Sequence, residues 1–497
     1  MNQKIGIFIF RRDLRLNDNL GLIKLIRQMG TNTNIIIPIF ILDKYQIKIT
    51  SKNEHYFSNN VVQFMCESLI DLNNQFEIYG SKLRIFYGEP SKIVSTLIKW
   101  IITNYQTNPS DIYLSYNCDY SNYAVSRDTS INDIVAKNKI NLITCDDDYL
   151  LIPFDKIIKS DGDGFKQYGA FLKNALKHSV NKPIKNNFKN YLKSSISTGI
   201  KSEYSSPMNK LKQFYIQNDQ LVQRGGRKEA EKKLKYIGKF KEYEAKRNLL
   251  SYNTTNLSAY LNFGCISIRE MYLICKKDLG SHATPIIKQL YWRDFYLQAF
   301  KYLPGGTNYK HMDLRYEKIK WKNSSKDWDL LINSKTGFLI VDAAIQEMKI
   351  TGFMHGRARM IVGVFWTKYL LINIFHEKYG SQVGYSHHLV DAIGPTQNKM
   401  NHQWITEFDY PGKKYAPREA PIAGRPMNPS NKMIAKFDPG CIYIKKWLPH
   451  LSNVPCKDLY KWNTDIANKY DQIHPEPMFD YKVKYQEWIN VCKHACK

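Results

Sequence analysis

IGIFIFRRDLR, residues 5–15, is the stretch that decides the fold. Its first six residues are apolar without alternation, which is typical of a strand buried on both faces. Comparable runs follow at Ile35–Leu42, Leu83–Tyr87, Asp111–Ser115 and Leu142–Thr144. Between them lie amphipathic helical patterns at Leu20–Met29, Ser58–Leu72 and Ser91–Thr103. This alternation predicts a doubly wound α/β domain with a parallel sheet, which we assign to residues 1–133.

The ends of these strands indicate where a ligand would bind. In open parallel sheets, ligands lie beyond the carboxyl ends of the strands, here near Arg11–Arg15, Asp43 and Gly88–Pro90. A G-x-G-x-x-G sequence is absent, so the chain lacks the dinucleotide-binding fingerprint.

After the sheet region the character of the sequence changes twice. Residues 134–204 are polar and irregular, which predicts a long interdomain linker that is partly ordered around Phe165–Leu176. From residue 205 to 497 the helical period prevails, which predicts an all-α domain. Its predicted helices are Arg227–Asn248, Asn256–Leu261, Ser267–Lys277, Pro285–Tyr302, Phe338–Lys349 and Met354–Phe375.

The charge balance indicates a polyanionic partner. The 497 residues include 72 Lys and Arg against 45 Asp and Glu, a formal net charge of +27. This excess favours nucleic acid first and an anionic membrane surface second. A Lys- and Asn-rich composition inherited from an AT-rich genome would produce the same excess. Neither a signal peptide nor a membrane-spanning run is visible, so we expect a soluble, intracellular monomer.

The nine cysteines are scattered and include no C-x-x-C pair. The spacing therefore predicts neither a disulfide framework nor a metal centre.

Residues 352–404 indicate a buried ligand site. GFMHGRARM brings His355, Arg357 and Arg359 to one end of an apolar helical run, and LVDAIGPTQNKMNHQW follows with Asp391 and Asn398. Cations and amides in apolar surroundings cost desolvation free energy unless a polar ligand fills the space between them. Upstream, TTNLSAYLNFG at 254–264 offers hydroxyls and backbone N–H groups for a phosphate, although ordinary helix capping would also explain it.

Eight longer motifs resemble the DNA photolyase/cryptochrome family, in order from about residue 4 to 463. They are IFRRDLRLNDN, IPIFILDK, NYAVSRD, TTNLSAYLNFGCIS, QLYWRDFY, TGFLIVDAAIQEM, TGFMHGRARM and KFDPGCIYIKKWLPHL. The resemblance is strongest to cyclobutane pyrimidine dimer photolyases. It implies an α/β antenna domain, a helical domain that binds FAD, and UV-damaged DNA as the partner. In such enzymes the excited, reduced FAD donates an electron that splits the dimer.

The resemblance also assigns residues to the flavin and the lesion. The residues matched to FAD are Tyr243, Thr254, Thr255, Leu257, Ser258, Arg293, Arg359, Asp391 and Asn398. Those matched to the lesion and the DNA backbone are Arg247, Gln289, Trp292, Gly356, Arg357, Met360 and Trp404. Arg359 and Asn398 beside the flavin ring would favour its anionic reduced state. Trp292 and Trp404 would supply the flat surfaces on which a flipped-out dimer stacks.

Several positions depart from the family pattern. Gly356 replaces a lesion-contacting asparagine, and the (6-4) enzymes place histidines where this chain has Gly356 and Met360. We therefore expect a cyclobutane dimer as substrate. Of the three-tryptophan chain that reduces the flavin, Trp321 is present, whereas Ile374 and His402 occupy the inner positions. Photoreduction through Trp366, Trp404 or nearby tyrosines is one hypothesis.

Other functions stay open at this level. A cryptochrome-like blue-light photoreceptor, a (6-4) photoproduct repair enzyme and a light-independent, nucleic-acid-binding flavoprotein are the alternatives. A second, antenna chromophore is also undecided, because Tyr123–Ala124 lacks the carboxylate used by folate-binding members. A deazaflavin, a flavin and no antenna at all each fit the sequence.

Overall fold

A computed structural model describes residues 3–30, 34–47, 57–194, 196, 208–302, 311, 313–376, 379, 419–423, 429 and 431–497. The chain forms two compact units. The first consists of Met1–Asn218, Gln223–Lys241 and Leu257–Leu303. The second consists of Asp219–Val222, Glu242–Asn256 and Pro304–Lys497. No helix in the described ranges is long and apolar enough to cross a membrane.

The first unit contains the predicted parallel sheet. Its strands are β1 (Ile5–Phe10), β2 (Ile35–Asp43), β3 (Arg84–Gly88), β4 (Ile112–Asn117) and β5 (Asn141–Cys145). They lie in the order β3-β2-β1-β4-β5, and every neighbouring pair is parallel. All six residues of β1 are buried, as their unbroken apolar sequence predicts for a central strand. The predicted fold class, a doubly wound α/β domain plus a helical domain, is confirmed.

Eighteen α-helices occur in the described ranges. They are α1 (Leu20–Met29), α2 (Lys44–Ile47), α3 (Asn59–Glu77), α4 (Pro90–Tyr105), α5 (Asn122–Lys137), α6 (Tyr168–Ala175), α7 (Arg227–Leu234), α8 (Tyr243–Lys246), α9 (Ser258–Asn262), α10 (Ile268–Leu279), α11 (Thr284–Tyr302), α12 (Ser325–Ile332), α13 (Leu339–Thr351), α14 (Gly356–Val364), α15 (Asn431–Phe437), α16 (Ile442–Trp447), α17 (Cys456–Leu459) and α18 (Tyr481–Ala495). Helices α8 and α12–α18 lie in the second unit, and the others lie in the first.

Side-chain caps fix where many of these helices begin. Asn19, Ser58, Ser121 and Ser267 each accept a hydrogen bond from a backbone N–H in the first turn of the helix that follows. Such caps satisfy N–H groups that have no partner inside the helix.

The RRDLR segment after β1 is largely built into the core. Arg15 is 1 % exposed, pairs with Asp148 at 2.7 Å and donates to the carbonyl of Gly264 at 3.2 Å. Burying a guanidinium is tolerated here because carboxylate and carbonyl oxygens surround it. Arg15 belongs to the range Arg11–Arg15 that was expected to lie near a ligand. Its side chain instead forms its contacts inside the protein.

The described part of the second unit contains helices, turns and irregular segments, and no strand. Its main apolar cluster joins α13, α14 and α16, and includes Ile340, Val362, Phe365 and Ile444, each at most 1 % exposed. A π-helical turn, Phe365–Tyr369, follows α14. Helix α18 covers a second cluster around Trp488, whose indole donates to the carbonyl of Ala423 at 2.9 Å.

Two predicted helices are shorter in the structure. Arg227–Asn248 breaks into α7, a 3-10 turn at Ile237–Phe240, and α8. The predicted helix Met354–Phe375 starts at Gly356 and ends after the π-helical turn, where Leu371 has a positive φ of 53°. A left-handed residue cannot continue a right-handed helix, and the apolar sequence alone did not reveal it.

The expectation of no disulfide was wrong at one pair. Cys441 and Cys456 form a disulfide with their Cα atoms 6.0 Å apart. The pair follows no spacing motif, because the packing of α15, α16 and α17 brings the two residues together.

The predicted domain boundaries stay a prediction, and contacts divide the chain differently. Strand β5 and helix α6 lie within residues 134–204, the proposed linker. The first unit also includes α7, α10 and α11 from the predicted helical domain.

Candidate functional site

The start of α14 organises the predicted arginines of the second unit. His355 caps this helix, because its Nδ1 accepts a hydrogen bond from the backbone N–H of Arg357 at 3.1 Å. Burial, together with the charges of Arg357 and Arg359, lowers the pKa of His355 to about 4. The imidazole is therefore neutral at pH 7 and remains a hydrogen-bond acceptor.

Arg359 is fixed by the loop that precedes the helix. Its Nε donates to the carbonyl of Met354 at 2.8 Å, and its guanidinium lies 5.5 Å from the centre of the Phe353 ring. Glu347 accepts hydrogen bonds from the His355 N–H at 3.0 Å and from the Tyr443 hydroxyl at 2.6 Å. Burial raises the pKa of Glu347 despite these donors and the nearby Arg359. The acid and its donors therefore tie α13, α14 and α16 together beneath this arginine.

Arg357 connects two of the predicted DNA-contacting segments. Its Nη2 donates to the side chain of Asn248, one residue after Arg247, and its Nη1 lies 3.2 Å from the sulfur of Met360. Its guanidinium also lies 5.3 Å from the ring centre of Phe437. The structure thus places Arg357 beside Met360 and beside Asn248, the chain neighbour of Arg247; the assignment of these residues to DNA stays a prediction.

Gly356 begins α14 at an exposed position. A Cβ atom added there would meet nothing within 4 Å. The missing asparagine of the family pattern therefore leaves open space beside Arg357.

Tyr243, Thr254 and Thr255 also lie in the second unit, and all three are partly buried. Tyr243 begins α8, and its carbonyl accepts from the backbone N–H of Arg247 at 2.8 Å. The two threonines precede α9 in a segment without regular structure.

In the first unit, α11 carries Gln289, Trp292 and Arg293. The guanidinium of Arg293 donates to the carbonyls of Tyr149 and Leu261, the latter in α9 at 3.5 Å. Its Nε is buried and has no hydrogen-bond partner in the part of the chain described. Burial lowers the pKa of Arg293 to about 10, so it is still a cation at neutral pH. A buried cationic donor with an unused N–H fits a polar or anionic ligand.

Helix α9 begins without a side-chain cap. Leu257 stands at the N-cap position and makes no side-chain cap, while Ser258 is exposed at the first helical position. Ordinary side-chain capping, the alternative explanation for this motif, therefore does not account for it.

The structure adds a contact that sequence reasoning missed. The ring of Tyr168 lies parallel to the indole of Trp292, with 3.6 Å between their centres and 7° between their planes. Tyr168 falls in the predicted linker, and only its place in an otherwise polar stretch, DGDGFKQYG, marks it in the sequence.

The aromatic residues around Ile374 form two groups. Trp321 stacks on His311 at 5.7 Å and lies 6.1 Å from Trp488. Trp366 is fully buried and lies 6.2 Å from Trp328, which in turn lies 5.3 Å from Tyr379. Trp328 and Tyr379 were not singled out from the sequence, because only the fold places Trp328 beside Trp366 and Tyr379 beside Trp328.

In the first unit, polar side chains near the carboxyl ends of β1, β2 and β4 pair with one another. The hydroxyl of Tyr123 donates to Asp43 at the end of β2, and Arg12 pairs with Asp119 at 3.2 Å.

Part of the predicted site lies outside the described residues. This applies to Asp391, Asn398 and Trp404, and to His402, which departs from the family pattern. Their assignments stay predictions. The expectation of no metal site also stays a prediction; the described residues contain no group of three or more metal-ligating side chains.

Comparison with known proteins agrees with this architecture. Residues 7–187 match the family model described as DNA photolyase, and residues 286–494 match the FAD binding domain of DNA photolyase. The deoxyribodipyrimidine photo-lyase of Alkalihalophilus pseudofirmus is 27% identical over 97% of this chain and 97% of its own length. A (6-4)DNA photolyase of Arabidopsis thaliana is 26% identical over 92% of this chain and 81% of its own.

A solved structure extends the comparison to three dimensions. The archaeal photolyase from Sulfolobus tokodaii, crystallised with two FAD molecules, has a TM-score of 0.76 and 28% identity. The alignment covers 99% of both chains.

A parallel α/β sheet followed by a helical FAD-binding domain defines a class of flavoproteins. Within that class, this chain belongs to the DNA photolyase/cryptochrome family. Its cofactor is FAD. The partly buried guanidinium of Arg293, whose Nε has no hydrogen-bond partner among the described residues, fits such a ligand.

Proposed function

We propose that this chain is a light-driven DNA repair flavoenzyme, a deoxyribodipyrimidine photolyase that splits cyclobutane pyrimidine dimers. The observation that carries the proposal is the similarity to named deoxyribodipyrimidine photo-lyases over nearly the whole chain. The neighbourhood of Arg357 and Met360 supports it, because a cation and an apolar edge together suit a lesion in a DNA strand.

FAD, when bound in its reduced form and excited by light, supplies the electron that splits the dimer. Among this chain's residues, we assign its phosphates and ribose to Tyr243, Thr254, Thr255, Leu257 and Ser258. Arg293, Arg359, Asp391 and Asn398 are assigned to the flavin itself. The cations in this set stabilise negative charge on a reduced ring.

We assign the lesion to Gln289, Trp292, Met360 and Trp404, with Gly356 at its edge. The indoles provide stacking area, and the amide of Gln289 is able to donate to a base carbonyl. Arg247 and Arg357 are assigned to the DNA phosphates. Arg357 is held in place by Asn248, so it does not lose much side-chain freedom on binding.

Two further assignments concern the supply of light and electrons. We propose that Trp366, Trp328 and Tyr379 conduct electrons toward the flavin alongside Trp321, since Ile374 interrupts the usual path. A flavin is our preferred antenna chromophore, if one is bound, because the similar Sulfolobus protein contains two FAD molecules.

The location, the oligomeric state and the functional division of the chain are proposals of the same kind. We propose that the protein acts as a soluble, intracellular monomer, since its DNA substrate lies inside the cell. We also retain a functional division into an antenna domain at 1–133, a linker at 134–204 and a catalytic domain at 205–497.

A (6-4) photoproduct repair enzyme is the second candidate, favoured by the (6-4)DNA photolyase of Arabidopsis at nearly equal identity. Against it, Gly356 and Met360 offer no acid–base group where such an enzyme needs one. A cryptochrome-like photoreceptor, which would bind FAD without repairing DNA, is the third.

The deciding experiment uses purified holoprotein with its flavin reduced, as checked by the absorption spectrum. Under blue light it should restore an oligonucleotide that carries one cyclobutane thymine dimer and leave a (6-4) photoproduct intact. A chain with fully reduced flavin that repairs neither lesion would contradict the repair proposal and favour the photoreceptor. Repair of the (6-4) lesion alone would favour the second candidate.

A further inference from the structure

The parallel contact between Tyr168 and Trp292 is unusually close for two aromatic rings. Their centres are 3.6 Å apart and their planes differ by 7°. Aromatic pairs ordinarily prefer offset or edge-to-face packing with centres about 4.5–7 Å apart, because face-to-face quadrupoles repel. A close parallel pair therefore requires a frame that holds both rings.

Such a frame surrounds Tyr168. Its hydroxyl donates to the carbonyl of Lys288 at 2.9 Å. Burial raises the pKa of Tyr168, so the hydroxyl stays protonated and continues to donate at neutral pH. The segment before it is clamped to the same helix, because the buried Gln298 side chain bonds both the N–H and the carbonyl of Phe165.

Two phenylalanines complete the frame. Phe295 meets both rings edge-on, with centres 5.7 Å from Tyr168 and 5.6 Å from Trp292. Phe171, on α6, packs against Phe295 at 5.4 Å. These contacts fix the angle of the indole as well as its position.

The periodicity of α11 shows on which side of Trp292 the tyrosine lies. At about 100° per residue, Lys288 and Phe295 both project to one side of Trp292. Gln289 and Arg293 project to the other side by the same rule. Tyr168 contacts Phe295 and therefore lies on the Phe295 side of Trp292, whereas the ring of Tyr296, 5.6 Å from the indole, lies on the Gln289 side. Trp292 is nevertheless only partly buried.

We propose that Tyr168 is a positioning residue for lesion recognition, which holds Trp292 so that the face of its indole opposite Tyr168 receives the damaged base. The inference rests on the proposed function, because it takes Trp292 as a stacking surface for the dimer. Tyr168 itself does not touch the substrate. It acts by removing the freedom of the indole to rotate, which a stacked base would otherwise have to restrict.

The test is binding of FAD-loaded protein, in the dark, to two oligonucleotides that are identical except for one cyclobutane thymine dimer. Tyr168→Leu should weaken binding of the damaged strand about tenfold. This loss is smaller than the loss of affinity expected when a whole base–aromatic stack is removed. Binding of the undamaged strand should not change, because phosphate contacts do not involve this residue. Tyr168→Phe keeps the ring and should bind within about twofold of the wild type.

Tyr45→Leu serves as the matched control. It also removes one ring of a stacked tyrosine pair, at 5.8 Å from Tyr123, but at an exposed position away from α11. Its preference for damaged DNA should equal that of the wild type. Thermal unfolding and flavin absorbance of each variant establish that the protein is folded and loaded.

A double-mutant cycle with Trp292→Leu tests whether Tyr168 acts through the indole. In the Trp292→Leu background, adding Tyr168→Leu should have no further effect on the damaged strand. A further loss in that background, an equal loss for both strands, an unchanged preference in Tyr168→Leu, or tighter binding would each overturn the inference. A wild-type chain that does not prefer damaged DNA would instead overturn the proposed function, and this inference with it.

Discussion

At the residue scale, neighbouring groups hold the side chain of Arg359, a predicted flavin contact, in place. The Met354 carbonyl and the Phe353 ring fix the guanidinium, which is only partly buried. Replacing it by Ala should reduce FAD affinity at least tenfold, because charge-assisted hydrogen bonds contribute about 1.5–3 kcal/mol. The ratio of flavin to protein absorbance after purification measures this effect.

Arg315→Ala provides the matched control for that prediction. Arg315 pairs with Asp313 at 2.5 Å on an exposed 3-10 turn of the same unit. Equal flavin loss in both variants would mean that Arg359 has no specific place in the flavin site.

The neighbours of Ile374 lead to a second prediction at this scale. If electrons reach the flavin through Trp366 and Trp328, then Trp328→Phe should slow its photoreduction in the presence of an external reductant by about tenfold or more. Phe is harder to oxidise than Trp and keeps an aromatic ring beside Trp366, although it is smaller. Flash absorbance spectroscopy measures the rate, and Trp447→Phe, in a residue on α16, is the control. An unchanged rate in Trp328→Phe together with a slower one in Trp321→Phe would restore the conventional outer route.

At the scale of elements, a substitution of Gly264 tests how closely the turn before α10 approaches the RRDLR segment. Its φ is +65°, and an added Cβ would lie 2.1 Å from the carbonyl oxygen of Arg12. Gly264→Ala should lower the free energy of unfolding by about 3 kcal/mol or more, from left-handed strain and the backbone clash together. Gly80→Ala shares a positive φ of 66° but meets nothing within 4 Å, so it should cost only about 1 kcal/mol. Chemical denaturation measures both, and equal losses would rule out the close approach.

The cap of α14 makes a prediction about pH. His355 has a pKa of about 4 when folded, against an ordinary value near 6.5. Between these values the unfolded chain binds the proton more strongly, so stability falls as the pH is lowered through this window. From pH 7.5 to pH 5 this one residue should cost about 2 kcal/mol.

His355→Asn isolates that contribution from the titration of carboxylates. Asn caps helices well and does not titrate, so the variant should lose less stability than the wild type over the same pH range. Urea denaturation at pH 7.5, 6 and 5 measures the difference. Parallel curves for the two proteins would show that the imidazole is not buried as a neutral group.

At the scale of the whole molecule, the net charge of +27 predicts that binding of the proposed DNA substrate depends on salt. Affinity for undamaged and damaged strands should fall linearly with salt on a double-logarithmic plot, because each neutralised phosphate releases counterions. Arg247→Gln and Arg357→Gln should each reduce the slope by about 1 and weaken both strands alike. Arg315→Gln should leave the slope unchanged. Slopes that differ between damaged and undamaged strands would contradict an assignment of these arginines to phosphates.

The sequence by itself determined the sheet, the helical domain and the family. Ile5–Phe10 and Ile35–Asp43 reveal themselves because a strand buried on both faces must be apolar at every position. Arg357 and Arg359 stand out because cations are costly in apolar surroundings, and Arg293 was assigned through the family resemblance. These are local properties, which can be recognised from short stretches of consecutive residues.

Only the tertiary structure decided what depends on residues far apart in the chain. It stacked Tyr168 on Trp292, placed Trp328 beside Trp366, and joined Cys441 to Cys456. It also ended the predicted helix at Leu371 and used Arg15 in the core. Contacts of this kind follow from the close packing of whole elements, where neither periodicity nor composition specifies which side chains meet.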